Sequence, residues 1–343
     1  MSLADAPAVL LVRFGSLGDV VLACAAGQAL AAQRPEAAIT FLVKEEYAGI
    51  VRAQPWARAV WALPRGEERG AAALQGWRAR IREAAFSAAV DLQTSPRSRA
   101  LLAGHPRVLR WNAARWQRRR WVSLRWTKPQ PVRPAWLRFV DALAPLGIEP
   151  GRAQPPRLAA PPDAVARAQA SFAAWPGGAV TFLAPGAHWA TKRWPEASFL
   201  AVARRLVMGG GRVLIGGDDA DRAALPALAA WAAQEPAARW FRGPLADLLA
   251  LVSGCERALT NDTGLMHLAA AAGVRVSAVF GSTHPALGFS PAGEGHRVLC
   301  AALACQPCTL HGRDRCPLGH HDCVRLIGPD DVLAQGHLTR LAD

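Results

Sequence analysis

The chain has 343 residues, which is longer than one ordinary domain and predicts two. Of these residues 51% are hydrophobic, which is enough for two cores. Lys and Arg number 40 against 26 Asp and Glu, and the resulting net charge of +14 indicates an acidic or phosphorylated partner. Its apolar stretches stop well short of the ~18 residues that a membrane span needs, and its first residues lack the order of a signal peptide. Seven cysteines in such a chain argue against a disulfide framework. We therefore expect a cytoplasmic protein.

The first half alternates short apolar runs with helical patterns, which indicates a parallel sheet with crossover helices. The predicted strands are residues 8–14, 38–43, 59–63, 88–92 and 107–111, and the predicted helices are residues 20–32, 72–85, 98–103 and 135–146. The first strand runs into GSLGD, which lacks the spacing of a dinucleotide fingerprint. It places one carboxylate, Asp19, beyond the carboxyl end of the strand. Asp19 is either a helix N-cap or a reactive group.

A basic segment follows in the same half. Residues 92–140 contain eleven Arg, one Lys and five Trp, with neither Asp nor Glu. Arg and Trp together suit nucleic acid, through phosphate contact and base stacking. They also suit the phosphorylated head groups of a membrane surface. A solvated basic face with partly buried Trp side chains is the third interpretation, and composition leaves all three open.

A Pro- and Gly-rich stretch at residues 147–163 is the best candidate linker and divides the chain into predicted domains of residues 1–160 and 161–343. The second half repeats the strand–helix alternation. The predicted strands are residues 180–184, 212–216, 238–241, 257–260 and 274–280, and the predicted helices are residues 195–208, 220–233, 245–252 and 265–272. We expect two Rossmann-like parallel sheets that face each other across a cleft, and the final helix could pack back on the first domain.

Two strand–loop–helix junctions in the second half are suited to phosphate. One carries the hydroxyl of Thr191 and the charge of Lys192, ahead of a proline that can begin a helix. The other reads NDTGLMH, where Thr263 and Gly264 begin a helix whose first N–H groups and dipole point to one place. Two such junctions indicate a diphosphate. Helix capping by Asp262 and Thr263 is the alternative for the second junction.

The ordered set of motifs resembles the family 9 glycosyltransferases, the bacterial lipopolysaccharide heptosyltransferases. The motifs are GSLGDVVLA, DLQTSPRSRALL, PGAHWATKRWPE, LIGGDDADRA, NDTGLMHLAAAAG and VFGSTHP. The ending CQPCTLHGRDRCPLGHHDC is most similar to the heptosyltransferase II branch. The resemblance extends over about residues 9–332 and implies a GT-B fold of two α/β domains. It also implies that heptose passes from ADP-heptose to the inner core of lipopolysaccharide, with inversion and without a metal or other cofactor.

The resemblance implies that Asp19 is the catalytic base and that Asp262 orients loop amides or approaches the sugar. The residues expected to bind the donor are Thr191, Lys192, Asp262, Thr263, Gly264, His267 and Asp218. The residues expected to bind the anionic acceptor are Ser16, Gly18, Arg97, Ser98 and Arg120. A packing role remains open for His267, which is embedded in an apolar helix. A turn-and-cap role remains open for Asp218.

The cysteines near the carboxyl terminus have metal-ligand character. Cys305, Cys308, Cys316 and Cys323 follow a C-x2-C-x7-C-x6-C spacing, which could close a structural zinc site or simply place reduced thiols in a packed loop. We expect no catalytic metal, because the sequence around the phosphate loops offers no ligand set.

The expected partners are a nucleotide sugar, a phosphorylated lipopolysaccharide core and the anionic cytoplasmic face of the inner membrane, touched peripherally. A related glycosyltransferase that uses another sugar nucleotide or a protein acceptor is the nearest alternative. A nucleic-acid-binding protein is the alternative from another class. We expect no nucleic-acid partner, since such a protein has no need of two diphosphate loops and an opposed carboxylate.

Overall fold

The computed structural model describes residues 7–67, 70–124 and 130–334. It divides into two compact units. The first comprises Met1–Ala113 and Arg133–Pro161, and the second comprises Ala114–Val132 and Pro162–Asp343. Residues 114–132 therefore belong to the amino-terminal domain of the prediction but to the second unit of the structure.

The first unit is built on a five-stranded parallel sheet in the order β3-β2-β1-β4-β5. Its strands are β1 (Ala8–Val12), β2 (Ala38–Lys44), β3 (Ala59–Leu63), β4 (Ala88–Asp91) and β5 (Val108–Arg110). Its α-helices are α1 (Leu17–Gln33), α2 (Glu45–Arg52), α3 (Ala71–Glu83), α4 (Pro96–Leu101) and α6 (Ala135–Asp141). The central strand is apolar throughout and almost wholly buried, as expected where helices cover both faces of a parallel sheet.

The second unit is built on a six-stranded parallel sheet in the order β11-β10-β9-β6-β7-β8. Its strands are β6 (Val180–Ala184), β7 (Arg212–Gly216), β8 (Ala238–Phe241), β9 (Arg257–Asn261), β10 (Arg275–Phe280) and β11 (Arg297–Cys300). Its α-helices are α5 (Arg115–Ser123), α7 (Pro162–Ala173), α8 (Glu196–Met208), α9 (Asp219–Ala224), α10 (Pro226–Gln234), α11 (Leu245–Ser253), α12 (Gly264–Ala271), α13 (Asp322–Arg325) and α14 (Pro329–Leu333).

Helix α5 packs against the second unit. The indole of Trp121 stacks on the ring of His284, with 5.4 Å between centroids and 15° between planes. The backbone N–H of Val132 donates to the carbonyl of Ala286 at 2.8 Å. Trp121, Val132 and Leu287 share one apolar cluster. The basic segment thus divides between α5, which belongs to the second unit, and α4, β5 and α6, which belong to the first.

The predicted strands correspond to ten of the eleven observed strands, and the differences have local causes. The predicted helix at residues 220–233 is two helices, because Pro226 cannot continue α9 and instead begins α10. The predicted helix at residues 135–146 ends at Asp141 and gives way to a 3-10 turn, Ala144–Leu146. Strand β11 was not predicted, since four residues at the sheet edge carry little pattern.

Helix α1 approaches its neighbours closely because Gly27 lacks a side chain. A Cβ built at this position would lie 2.4–2.7 Å from three ring atoms of Trp56. We expect Gly27→Ala to lower the free energy of unfolding by about 1–3 kcal/mol, since the indole must shift in a packed interior. Thermal unfolding followed by circular dichroism measures this effect as a lower Tm.

Gly76→Ala is the matched control, because Gly76 is also inside a helix, α3, and a Cβ there meets no described atom within 4 Å. It should leave the Tm unchanged or raise it slightly, as Ala is the better helix former. Equal effects of the two substitutions would contradict the packing argument.

Candidate functional site

The second sheet has a point where its strand order reverses. The chain passes from β6 to β7 and β8 on one side of β6, and then returns to β9, β10 and β11 on the other side. The loops that follow β6 and β9 therefore diverge at the carboxyl edge of the sheet. In open α/β sheets this divergence leaves the crevice in which ligands bind.

An ion pair joins these two loops. The ammonium of Lys192, in the loop after β6, lies 2.6 Å from Oδ2 of Asp262, which directly follows β9. The hydroxyl of Thr283, from the loop after β10, donates to the same oxygen at 2.7 Å. Both side chains of the pair are largely buried, with 15% and 9% exposed. Asp262 thus orients Lys192, whose ammonium carries more donor hydrogens than this contact uses.

A buried asparagine, Asn261, fixes the loop that carries Lys192. Asn261 is fully buried, its Oδ1 accepts the N–H of Trp194 at 3.0 Å, and its Nδ2 donates to the carbonyl of Pro185 at 2.7 Å. Gly281 makes room for the same loop, because a Cβ at this position would lie 2.4 Å from the carbonyl oxygen of Thr191. Neither residue was predicted as part of the site, although Asn261 stands in NDTGLMHLAAAAG and Gly281 in VFGSTHP.

Helix α12 begins at the same place. Its N-cap is Thr263, whose extended backbone is typical of that position but whose side chain makes no capping hydrogen bond in the described structure. Gly264 is the first helical residue. Thr263 thus occupies the N-cap position, as the capping alternative predicted, but its side chain does not cap the helix, and the Asp262 carboxylate pairs with Lys192 instead. The uncapped N–H groups and the positive dipole end remain available to an anion.

Thr191 is placed differently from the prediction. It is 2% exposed, and its Oγ1 contacts Ser282 Oγ at 2.8 Å, donates to the Arg313 carbonyl at 2.9 Å and accepts from the Arg313 N–H at 2.8 Å. A hydroxyl so engaged has no capacity left for a phosphate oxygen. Thr191 instead ties the Lys192 loop to the segment around Arg313.

Two further predicted donor residues have structural roles. Asp218 is exposed, and its Oδ1 accepts the N–H of Asp221 at 2.8 Å. Its side chain therefore caps α9, which is the turn-and-cap role that the sequence left open. His267 lies inside α12 with 5% of its surface exposed, which favours the packing alternative. Their predicted contacts with the donor stay predictions.

The first sheet has its own reversal point, between β1 and β4, and Asp19 follows β1 there. The helix begins at Leu17 with Ser16 as N-cap, so the capping alternative for Asp19 is wrong. The carboxylate of Asp19 forms an ion pair with Arg13, accepts the hydroxyl of Ser16 at 3.2 Å and remains 22% exposed. Asp19 is therefore an oriented carboxylate that solvent still reaches.

Arg13, which the sequence analysis missed, is held from several sides. Its Nη1 donates to the Leu92 carbonyl at 2.6 Å, its Nε donates to the Gly15 carbonyl at 2.9 Å, and its guanidinium lies over the rings of Trp111 and Phe139. Only 7% of the side chain is exposed. A residue that directly follows β1 and interrupts the apolar run in the sequence is thus the fixed partner of Asp19.

Tyr47 packs against the turn that precedes Asp19. A Cβ at Gly15 would lie 2.9 Å from Cε2 of this tyrosine, so the glycine makes room for the ring. Burial raises the pKa of the Tyr47 hydroxyl, and the carboxylates of Glu46 and Asp19 raise it further. The phenol is therefore protonated at neutral pH.

The structure does not support the predicted contact of Ser98 with the acceptor. It is fully buried, and its Oγ donates to Oδ2 of Asp91 at 3.1 Å and accepts the N–H of Ser95 at 2.9 Å. Asp91 is also fully buried, and its Oδ1 accepts the N–H groups of Gln93 and Thr94 at 3.1 and 2.7 Å. Ser98 thus belongs to a hydrogen-bonded turn after β4 and does not face solvent.

The other predicted acceptor residues are dispersed. Ser16 is exposed, whereas Gly18 is buried within α1. Arg97 is exposed at the start of α4. Arg120 is exposed on α5 and therefore belongs to the second unit, not to the unit that carries Asp19. Their contacts with an acceptor stay predictions.

The four cysteines of the carboxy-terminal motif are free thiols. With His320 and His321 they line a cavity of about 10 Å³ behind Thr191 and Ser282. Burial, and then the neighbouring thiols, raise the pKa of Cys323 to about 12. Within residues 7–67, 70–124 and 130–334, no three His, Cys, Asp or Glu side chains are arranged so that they could hold a metal ion.

Among the described helices, none combines the length and the apolar character that crossing a bilayer demands.

A model of the family described as glycosyltransferase family 9 (heptosyltransferase) matches residues 76–316. The chain belongs to this family. It is 37% identical to lipopolysaccharide heptosyltransferase 1 of Pseudomonas aeruginosa over 135 residues, which are 39% of this chain and 37% of that protein. The match thus spans well under half of this curated relative.

Solved structures resemble the whole chain. The family 9 glycosyl transferase of Veillonella parvula has a TM-score of 0.78 at 17% identity, over 96% of both chains. The ADP-heptose LPS heptosyltransferase II of E. coli has a TM-score of 0.69 at 21% identity, over 95% of this chain and 96% of that one. The predicted α/β fold of the GT-B class, with two Rossmann-like parallel sheets, is confirmed.

The site in the second unit is expected to bind a diphosphate through Lys192. We expect Lys192→Met to weaken the binding of inorganic pyrophosphate at least about tenfold, since a hydrogen bond from a charged donor contributes ~1.5–3 kcal/mol. Isothermal titration calorimetry measures the Kd. Arg204→Met, on the exposed face of α8, removes the same charge elsewhere and should leave the Kd unchanged. Equal losses in both variants would mean that pyrophosphate responds to net charge alone.

Proposed function

We propose that this protein is an inverting glycosyltransferase that transfers heptose from ADP-heptose to the inner core of lipopolysaccharide. The observation that carries the proposal is the Lys192–Asp262 pair beside the uncapped start of α12, at the reversal point of the second sheet. A cation and a helix N-terminus at one point suit the diphosphate of a sugar nucleotide. Membership of family 9 supports a glycosyl donor.

ADP-heptose is the proposed donor because the structural neighbour from E. coli carries that compound in its name. The alternatives, another sugar nucleotide or a protein acceptor, would use the same diphosphate site. They differ in the base and sugar contacts, which a panel of ADP- and UDP-sugars distinguishes.

The proposed reaction needs no metal ion, because Lys192 and the first N–H groups of α12 can take up the charge that develops on the leaving diphosphate. These donors are fixed before the substrate binds, so little reorganisation is required. One neighbour, the dodecameric glycosyltransferase TibC of enterotoxigenic E. coli, contains iron, at 16% identity and a TM-score of 0.57. Added chelator tests this point directly, since activity should persist.

Asp19 is the proposed base. Inversion by direct displacement requires that the acceptor hydroxyl lose its proton as its oxygen attacks the anomeric carbon and the bond to the diphosphate breaks. Asp19 is partly exposed and oriented by Arg13 and Ser16, which suits a carboxylate that must meet an incoming hydroxyl. Arg13 fixes the carboxylate without occupying all of its lone pairs.

The proposed acceptor is phosphorylated, and Arg97 and Arg120 are the proposed contacts with its anionic groups. Both side chains are exposed, and guanidinium binds phosphate or carboxylate bidentately. A lipid-linked acceptor places the reaction at the cytoplasmic face of the inner membrane. The exposed face of α5 supports peripheral contact there, because Trp116 is 75% exposed beside the exposed Arg119 and Arg120.

Asp19→Asn should abolish most of the turnover while leaving the donor site intact. We expect kcat to fall at least ~100-fold, because the amide cannot accept the proton. The thermal shift produced by ADP should stay at its wild-type size, since Asp19 lies in the other compact unit from Lys192. Asp141→Asn, at a half-exposed carboxylate that ends α6 and pairs with Arg133, is the control. Unchanged turnover of ADP-heptose by Asp19→Asn would remove Asp19 from the mechanism.

The α5 surface, defined as Trp116, Arg119 and Arg120, should bind anionic bilayers. We expect the triple variant Trp116→Ala/Arg119→Glu/Arg120→Glu to lose most co-sedimentation with phosphatidylglycerol vesicles, because interfacial Trp and cations both stabilise the bound state. Arg58→Glu/Arg65→Glu, at two exposed positions of the first unit, makes the same reduction in charge and should co-sediment normally. Vesicle binding that is unaffected by the triple variant, or tight binding to single-stranded oligonucleotides instead, would contradict the membrane proposal.

A further inference from the structure

A second cavity lies at the opposite edge of the second sheet from Lys192 and Asp262. It has a volume of about 330 Å³ and is lined by the amino ends of four neighbouring strands together with α8 and α14. Arg257, Arg275 and Arg297 are the first residues of β9, β10 and β11 and all line it. Because the strands are parallel, their amino ends share one edge, so this cavity is separate from the site described above. Its volume is within the range of small-molecule sites.

The charged side chains around this cavity favour an anionic ligand. Arg275 and Arg257 are direct register partners on adjacent parallel strands, so their side chains leave the same face of the sheet. Like charges in such a pair repel. Arg257 is offset by Glu256, at 3.1 Å. Arg275 forms no ion pair with any described residue, and none of the described lining residues is acidic.

Arg297 adds a third cation that the protein positions firmly. Its two terminal nitrogens donate to the carbonyls of Asp331, Val332 and Ala334 at 3.0–3.2 Å. Its Nε is buried and lacks a hydrogen-bond partner among the described residues. A guanidinium held by backbone carbonyls keeps its full positive charge, which an anion at the mouth would neutralise.

Beyond the cations most of the lining side chains are apolar, and Thr181 and Ser277 add two hydroxyl groups. Val202 and Leu206 of α8 line one side, and Val332 and Leu333 of α14 line another. Leu206 and Leu333 are only partly buried, so they offer apolar surface to a ligand in the cavity. An alkyl chain gains free energy from such walls, whereas a free phosphate does not. The combination of an apolar interior and a cationic mouth selects a ligand with one chain and one anionic head.

We propose that this cavity binds a single-chain anionic amphiphile, with its head group on Arg275 and Arg257 and its chain along Leu206 of α8 and Leu333 of α14. The inference does not depend on the proposed glycosyl transfer, since it uses the other edge of the sheet. Carboxylate and phosphate heads share the chemistry that guanidinium recognises. Such a ligand would link the protein to a pool of acyl chains or alkyl phosphates.

Isothermal titration calorimetry of the full-length protein with decanoate tests the proposal. We expect binding that strengthens from hexanoate to octanoate to decanoate, by up to about fourfold per added methylene. Decanol and decyltrimethylammonium should bind at least about tenfold more weakly, because they lack the negative charge. Decyl phosphate in place of decanoate shows which head is preferred. Equal binding of decanol, or inorganic phosphate that binds as tightly as decanoate, would overturn the amphiphile assignment.

Two variants locate the site. Arg275→Glu should weaken decanoate binding at least about tenfold, and Ser277→Phe should block the chain by filling the cavity that Ser277 lines. Arg275 is exposed, so its substitution should not disturb folding, which circular dichroism verifies. Arg204→Glu, on the exposed face of α8, is the control and should bind decanoate normally. Decanoate binding that survives both Arg275→Glu and Ser277→Phe would place the ligand elsewhere and refute the proposal.

Discussion

The buried side chain of Asn261 is the interaction on which the site in the second unit depends. It stands at the last position of β9, where the strand order of the sheet reverses, and hydrogen-bonds to both ends of the loop that carries Lys192. A buried amide that loses its partners costs about 1–3 kcal/mol, so the loop and the strand are coupled. The position of the Lys192 ammonium therefore depends on Asn261, which ends the strand on the other side of the reversal point.

In the first unit, the charged side chain of Arg13 connects the two loops at the reversal point, where the second unit has the amide of Asn261. Arg13 directly follows β1, donates to the carbonyl of Leu92 beyond β4 and pairs with Asp19. Its guanidinium rests on Trp111 and Phe139, which lowers the cost of its burial through contact with ring faces. Each sheet thus has a buried polar side chain that bridges the two loops at its reversal point, and in each the bridged loops carry the residue assigned a chemical role.

Sequence alone predicted the alternation of strands and helices and singled out the junctions that carry Lys192 and Asp19, because apolar runs and Gly-rich junctions are local signals. It predicted no strand order, so the two reversal points were first seen in the structure. The sequence could not show which hydroxyl groups are already engaged in hydrogen bonds within the protein. Thr191 and Ser98 stand in the right motifs, but hydrogen bonds to distant segments use up their oxygens. Nor could it place α5 in the second unit, because the contact of Val132 with Ala286 joins residues far apart in the chain.

Asp262 shows why a carboxylate can stand at the mouth of an anion site. Alone it would repel a diphosphate, and its Coulomb energy would cancel much of the attraction of α12. Paired with Lys192 at 2.6 Å and hydrogen-bonded to Thr283, it forms with the lysine a pair of almost no net charge. What remains toward the crevice is a lysine with unused donor hydrogens and the positive end of a helix. The pair therefore costs little affinity for phosphate and instead fixes the direction in which the ammonium points, which flexible lysine side chains seldom achieve unaided.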